Sequence, residues 1–170
     1  MSGRNIGISI ALVVLGVVMQ TAMFGEGRIN PFGVAPAVVV VIVLACVRYV
    51  DAEPALLLGF TGGMLLDLLG AAPLGLWAIA YTVMVYIALR FKERADDGAV
   101  VIAVGVVGFT LLANALFLIL GTLFGERLFT STDFIKNMVV PAFYNLAIAA
   151  VVFPIVERLI GARRRVRWSS

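Results

Sequence analysis

The sequence has no histidine, a single cysteine and few charged residues. Lys, Arg, Asp and Glu together make up 14% of the 170 residues. Without histidine, and with Cys46 in an apolar segment, both a metal site and an acid–base pair are hard to assemble. One thiol also excludes an internal disulfide. We therefore expect a chain that is not an enzyme, with no catalytic residue, no cofactor and no metal.

Hydrophobic residues are in large excess. They make up 62% of the chain, whose mean hydropathy is +1.09. Several apolar segments approach the roughly 20 residues needed to cross a bilayer, and they are too numerous for one water-facing core. The period-two alternation of a membrane-spanning barrel is missing. The predicted class is an all-α, polytopic membrane protein.

Six transmembrane helices are predicted, in a single domain that covers residues 1–170. The spans lie near residues 6–23, 34–50, 55–69, 74–89, 99–120 and 136–156, and residues 157–170 form a basic tail. The first span is interpreted as a membrane helix. A cleaved signal peptide is the alternative. Cleavage after Ala22 would require a small residue at position 20, where the sequence has Gln20. Thr130 and Asp133 resemble a capping box, so a helix is expected to begin there.

Basic residues are distributed unevenly between the two sides of this predicted topology. If the termini lie inside, the inner side holds ten: Arg4, Arg48, Arg90, Lys92, Arg94, Arg158, Arg163, Arg164, Arg165 and Arg167. The outer side holds three: Arg28, Arg127 and Lys136. This bias predicts that both termini are cytoplasmic. The net charge of +3 thus reflects membrane orientation, and no nucleic-acid partner is expected.

One short apolar span carries three glycines and an acid on the same helical face. At about 100° per residue, Gly62, Gly63 and Asp67 each lie within about 80° of Gly59 around the helix axis. Together with Gly59 they form one side of the helix. We call these four residues the glycine stripe. Small residues allow another backbone to approach closely in lipid, and a carboxylate there needs a compensating group. Because no obvious intramembrane cation is available in the chain, the stripe is predicted to dock on a partner's membrane helix.

Two alternatives for the glycine stripe stay open. The glycines are as well suited to close packing within the protein as to packing on a partner. The Asp67 carboxylate is alternatively capped by backbone amides of the outer loop. Pro73 and Gly75 follow the stripe and are expected to end the helix and reverse the chain.

Two asparagines lie in the last two predicted spans. Asn114 and Asn145 are expected to form hydrogen bonds between helices inside the bundle, with a ligand or partner site as the alternative. Pro141 should disturb its helix and free backbone carbonyls close to Asn145. We therefore predict that Asn145 links the last two spans.

Residues 59–67, GFTGGMLLD, followed by APLGL at 72–76, resemble the signature of the MreD family of bacterial rod shape-determining membrane proteins. The chain length, the six-span plan, the Arg-rich tail and residues 141–145 are compatible with this family. Residues 70–72 read GAA, where many members have a polar turn with serine. The resemblance implies a fold similar to the substrate-binding subunits of energy-coupling-factor vitamin transporters.

The resemblance also implies a non-enzymatic scaffold in the bacterial inner membrane. The implied partners are MreC, a single-span protein with a large extracytoplasmic domain, the glycosyltransferase RodA with its class B penicillin-binding protein, the MreB cytoskeleton and the lipid bilayer. On this expectation, the surface that binds MreC comprises Gly59, Gly62, Gly63, Asp67, Pro73 and Gly75.

A vitamin-capturing, substrate-binding subunit of a membrane transporter is the alternative function. Such a subunit would have the same size and topology, and Asp67, Asn114 and Asn145 would hold the vitamin. A ligand pocket usually needs several convergent polar groups. The outer half of this chain offers few, which favours the scaffold.

Overall fold

The computed structural model describes residues 3–24, 34–70, 73–93, 98–125 and 134–160, and helices make up nearly all of this part of the chain. The helices are α1 (Gly3–Phe24), α2 (Val38–Val47), α3 (Ala52–Leu69), α4 (Leu76–Lys92), α5 (Ala99–Leu123) and α6 (Phe134–Ile160). The predicted all-α class is confirmed. The capping box expected at Thr130 and Asp133 and the tail beyond residue 160 lie outside the described residues.

Four of these helices are long and apolar enough to cross a membrane: α1, α3, α5 and α6 from Met138 onward. Helix α2 has 10 residues and α4 has 17. Six complete crossings therefore remain a prediction. Helix α6 continues to Ile160, so the first residues assigned to the tail are helical.

Helix α2 lies at the centre of the bundle. Each of its 10 residues is buried, and it contacts all five other described helices. At 1.5 Å per residue it is roughly 15 Å long, about half of a 30 Å hydrocarbon core. Residues 34, 36 and 37 before it are non-helical and also buried. Non-helical backbone is tolerated at membrane depth only when protein covers it, so α2 is a core helix enclosed by the others.

Side chains from neighbouring helices satisfy both ends of α2. In its first turn, the Val39 N–H donates to Oε1 of Gln20 on α1 at 3.0 Å. At its other end, Nζ of Lys92 on α4 donates to the carbonyls of Val47 at 2.8 Å and Val50 at 3.3 Å. Helix termini leave such backbone groups without intrahelical partners. The short central helix is thus held in position by α1 and α4.

Helices α3 and α4 form an antiparallel hairpin, and their contact is the most extensive in the described chain. Gly70 follows α3 in an extended conformation. Gly75 precedes α4 with φ of +95°, a left-handed conformation that glycine adopts without steric cost. The tight reversal places the beginning of α4 beside the end of α3.

Candidate functional site

Two glycines of the stripe face α4 of the same chain. A Cβ atom on Gly63 would collide with the backbone of Trp77 and Ala78. A Cβ on Gly59 would lie 2.8 Å from Cγ2 of Val85, closer than real side chains approach. The absence of side chains on Gly59 and Gly63 therefore allows α3 and α4 to pack backbone to backbone.

The third glycine of the stripe faces the opposite side of α3. A Cβ on Gly62 would lie 3.1 Å from Cγ1 of Val13 on α1 and 3.3 Å from Cγ1 of Val39 on α2. All three glycines are buried. The close approach that small residues permit is thus made by helices of this chain.

Asp67 binds the beginning of α4. The carboxylate is 2% exposed. Its Oδ2 accepts hydrogen bonds from the N–H groups of Gly75 at 3.0 Å and Ala78 at 3.1 Å, and its Oδ1 accepts one from Trp77 at 3.1 Å. The first N–H groups of a helix have no intrahelical acceptor and carry partial positive charge. Gly75, at the N-cap, has no side chain to accept them, so Asp67 fulfils the capping role from α3.

Three backbone N–H groups of this chain surround the Asp67 carboxylate, so the compensating group that the acid needs is supplied within the chain. This geometry corresponds to the alternative in which backbone amides cap the carboxylate. That alternative placed the amides in the outer loop, whereas two of the three donors, Trp77 and Ala78, belong to α4. The stripe residues are covered by α1, α2 and α4. Pro73 and Gly75 are partly exposed and remain accessible members of the predicted docking surface.

Trp77 connects this capped turn to α5. Its ring is stacked on Phe117, with ring centroids 4.1 Å apart and planes inclined by 13°. The same indole contacts Tyr81 edge to face at 5.5 Å. Because the backbone N–H of Trp77 also binds Asp67, one residue joins α3, α4 and α5. Sequence patterns did not indicate the Phe117 contact, since aromatic residues near span ends are common anchors at the membrane interface.

Asn114 and Asn145 join α5 to α6. Nδ2 of Asn145, which is fully buried, donates to Oγ1 of Thr110 at 2.9 Å. Nδ2 of Asn114 donates to the carbonyl of Met138 at 3.2 Å. Met138 lies in the turn before Pro141, which lacks an N–H to donate back to that turn. Asp67 is bonded to residues 75, 77 and 78, whereas the two asparagines are bonded to Met138 and Thr110, so these polar groups form two separate clusters.

Replacing Asn145 with leucine should leave the protein inserted and reduce its stability only modestly. The lost hydrogen bond has a value of about 0.6 kcal/mol, the average for helix contacts in membranes. Thermal unfolding in detergent measures the change, and Thr110→Val serves as the matched variant from the other side of the bond. If the two single changes and the double change lower stability equally, the bond accounts for the effect. Loss of partner binding at unchanged stability would instead make Asn145 an interface residue.

Gln20 and Lys92 are structural residues that the sequence reasoning missed. Their positions in the sequence could have indicated this role: Gln20 is an uncharged polar residue inside the first apolar span, and Lys92 follows the fourth apolar span. For metal binding, the described ranges contain no group of three or more Cys, Asp or Glu side chains close enough to hold an ion.

The fold and this site define a polytopic helical membrane protein in which a buried acid fastens two helices together. Comparison with protein-family models matches residues 4–162 to the family described as rod shape-determining protein MreD. The chain therefore belongs to the MreD family of bacterial inner-membrane proteins, which act in rod-shape determination. No curated protein and no solved structure matches the chain. The similarity to energy-coupling-factor subunits stays a prediction.

Proposed function

We propose that this chain is a non-enzymatic membrane scaffold of the cell-elongation machinery. It binds MreC and supports peptidoglycan synthesis by RodA and the class B penicillin-binding protein, alongside the MreB cytoskeleton. The observation that carries the proposal is the family match over residues 4–162. The geometry of Asp67 supports it, because both carboxylate oxygens accept backbone N–H bonds and serve the hairpin instead of a reacting group.

The polar contacts favour the scaffold over the vitamin-capturing subunit. That alternative requires Asp67, Asn114 and Asn145 to converge on a ligand. Asp67 instead accepts three bonds from residues 75–78. The two asparagine amides donate to Met138 and Thr110. Each of these groups therefore contributes to helix packing.

We place the MreC-binding surface on the exposed face of α3, together with the turn at Pro73 and Gly75. Leu57 and Leu68 are 61% and 60% exposed, and Thr61 lies between them on the same face and is exposed. Residues 59–67 of the MreD signature lie within α3, and the inward residues of this helix pack inside the chain. Its outward residues are thus the ones available to a partner.

The glycine stripe has an indirect role in this proposal. Gly59, Gly63 and Asp67 hold α3 against α4, and Gly62 lets it approach α1 and α2. Together they keep the outward face of α3 in one position, which is a requirement for a docking surface.

Co-purification of MreC with the full chain from native membranes tests the proposal. MreC should be recovered with the wild-type chain. Thr61→Trp should reduce recovery at least tenfold, because it adds bulk to the docking face without touching the interior. Ala11→Trp is the matched control, since Ala11 is an exposed small residue on α1, and it should leave recovery unchanged.

Two results would contradict the proposal in different ways. Recovery of a bound vitamin or an ATPase module, without MreC, would favour the transporter subunit. Equal recovery of MreC with Thr61→Trp and Ala11→Trp would retain the scaffold and place its docking surface away from α3.

The proposed orientation has both termini in the cytoplasm, and the ten-to-three distribution of basic residues supports it. Reporter fusions after Arg94 and after Arg165 should give cytoplasmic signals. A fusion near Glu126 should give an extracytoplasmic signal. The reversed pattern would overturn the orientation.

A further inference from the structure

A groove with a volume of about 650 Å³ opens on the side of the bundle between α4 and α5. Leu44 and Val47 of α2 form part of its wall, together with Phe91 of α4 and Phe109 of α5. The two phenylalanine rings meet edge to face at 5.7 Å. Asp67 and its hydrogen-bond partners Gly75, Trp77 and Ala78 are not among the residues that line the groove. The proposed scaffold function does not use the groove.

The length of the groove matches one leaflet of a bilayer. Its lining on α5 extends from Val100 to Leu112. Twelve steps of 1.5 Å along a helix cover about 18 Å. Half of a 30 Å hydrocarbon core is about 15 Å. An acyl chain lying along α5 would therefore remain inside the groove over the depth of one leaflet.

Two cationic side chains mark one end of this apolar groove. Arg48 and Lys92 both line it, and none of its described lining residues is acidic. Nζ of Lys92 is held at the end of α2 by the carbonyl of Val47 at 2.8 Å. The guanidinium of Arg48 lies over the ring of Phe153 at 6.0 Å from its centroid. Both positive charges are thus localised where α2 and α4 end.

The charged end of the groove lies on the cytoplasmic side in the orientation proposed above. The cytoplasmic leaflet carries anionic lipids, and basic pockets between helices on this side bind anionic headgroups. An apolar groove that ends in two cations is complementary to a molecule with a hydrocarbon chain and a phosphate.

Two glycines keep the α5 side of the groove open. A Cβ on Gly108 would meet nothing within 4 Å, and a Cβ on Gly105 would meet only the Phe109 ring, at 4.0 Å. These glycines therefore differ from those of the stripe, because none of the described helices packs closely against them. Glycine is less favourable than alanine inside a helix, and here its effect is to leave room in the groove.

We propose that the groove binds one anionic phospholipid of the cytoplasmic leaflet. The acyl chain lies along α5 past Gly105 and Gly108. The phosphate lies beside Arg48 and Lys92. Bound in this way, the lipid fills the space between α4 and α5 and joins the ends of α2 and α4.

Native mass spectrometry of the full, delipidated chain in detergent tests this proposal. The probes are phosphatidylglycerol and phosphatidylcholine with identical acyl chains, and inorganic phosphate as competitor. Both lipids carry a phosphate, but the choline cation makes phosphatidylcholine neutral overall, so the two cations of the groove should give on the order of a tenfold preference for the anionic phosphatidylglycerol. Inorganic phosphate should not displace the lipid, because it cannot occupy the apolar groove.

Variants separate the two parts of the proposed site. Gly108→Leu should reduce phosphatidylglycerol binding at least tenfold by filling the groove, without creating a clash inside the bundle. Gly7→Leu on α1 is the matched control, since a Cβ there also meets nothing within 4 Å, and it should bind as the wild type does. Arg48→Gln should reduce the preference for phosphatidylglycerol while binding of phosphatidylcholine persists.

Several outcomes would overturn the lipid site. Equal binding of the two lipids by the wild type would remove the role of the cations. Full phosphatidylglycerol binding by Gly108→Leu would place the lipid elsewhere. Competition by inorganic phosphate would indicate a site for free phosphate, and a dimer abolished by Gly108→Leu would make a second copy of the chain the occupant.

Discussion

Asp67→Leu is expected to lower the free energy of unfolding by about 3 kcal/mol or more. The change leaves three N–H groups at the beginning of α4 without their acceptor, and each buried, unsatisfied donor costs about 1–3 kcal/mol. Asp67→Asn retains one accepting oxygen but turns an amide group toward N–H donors, so we expect an intermediate loss. Thermal unfolding in detergent, followed by size-exclusion chromatography, measures both.

Asp51 provides the matched control for Asp67. It is the N-cap residue of α3, it is exposed, and its side chain makes no capping hydrogen bond. Asp51→Leu and Asp51→Asn should therefore change stability by less than about 0.5 kcal/mol, as for ordinary surface substitutions. If Asp67→Leu proved as stable as Asp51→Leu and yet failed to bind MreC, the acid would belong to a partner interface.

Gly63→Ala is expected to destabilise the α3–α4 hairpin although it adds a single methyl group. The added carbon would collide with the backbone of Trp77 and Ala78, and backbone atoms cannot rotate away as a side chain does. Overpacking typically costs about 1–3 kcal/mol, and we expect the upper part of that range. Gly63→Leu should prevent recovery of a monodisperse protein. The shift in unfolding temperature in detergent gives the comparison.

Gly108→Ala on α5 is the control for Gly63→Ala, because open space surrounds its added carbon. It should keep or slightly raise stability, since alanine is favoured over glycine in a helix by up to about 1 kcal/mol. Gly63→Ala with wild-type stability in the absence of MreC would show that α3 and α4 do not pack backbone to backbone. The glycine stripe would then be free to bind a partner helix as first predicted.

The relation between the glycine stripe and α4 shows how far sequence reasoning reached. Glycines and an acid are conspicuous in an apolar span, so the sequence alone indicated that a close neighbour and a compensating group were needed. It could not say which neighbour, because small residues permit the approach of any backbone. In the structure, the helix that closely approaches Gly59 and Gly63 is α4. The groups that compensate the Asp67 carboxylate are the backbone N–H groups of residues 75, 77 and 78.

By itself, the sequence determined that this is an all-α membrane protein of the MreD family. Long apolar runs without period-two alternation are sufficient for the all-α membrane class, because backbone polar groups in lipid must be satisfied within each helix. The family is indicated by the motif at residues 59–67 and 72–76. Only the tertiary structure decided which helix is central. The valines of α2 are equally compatible with lipid and with a protein interior, since both are apolar, so hydropathy does not distinguish them. The position of α2 follows instead from contacts distant in sequence, where Gln20 and Lys92 bind its two ends.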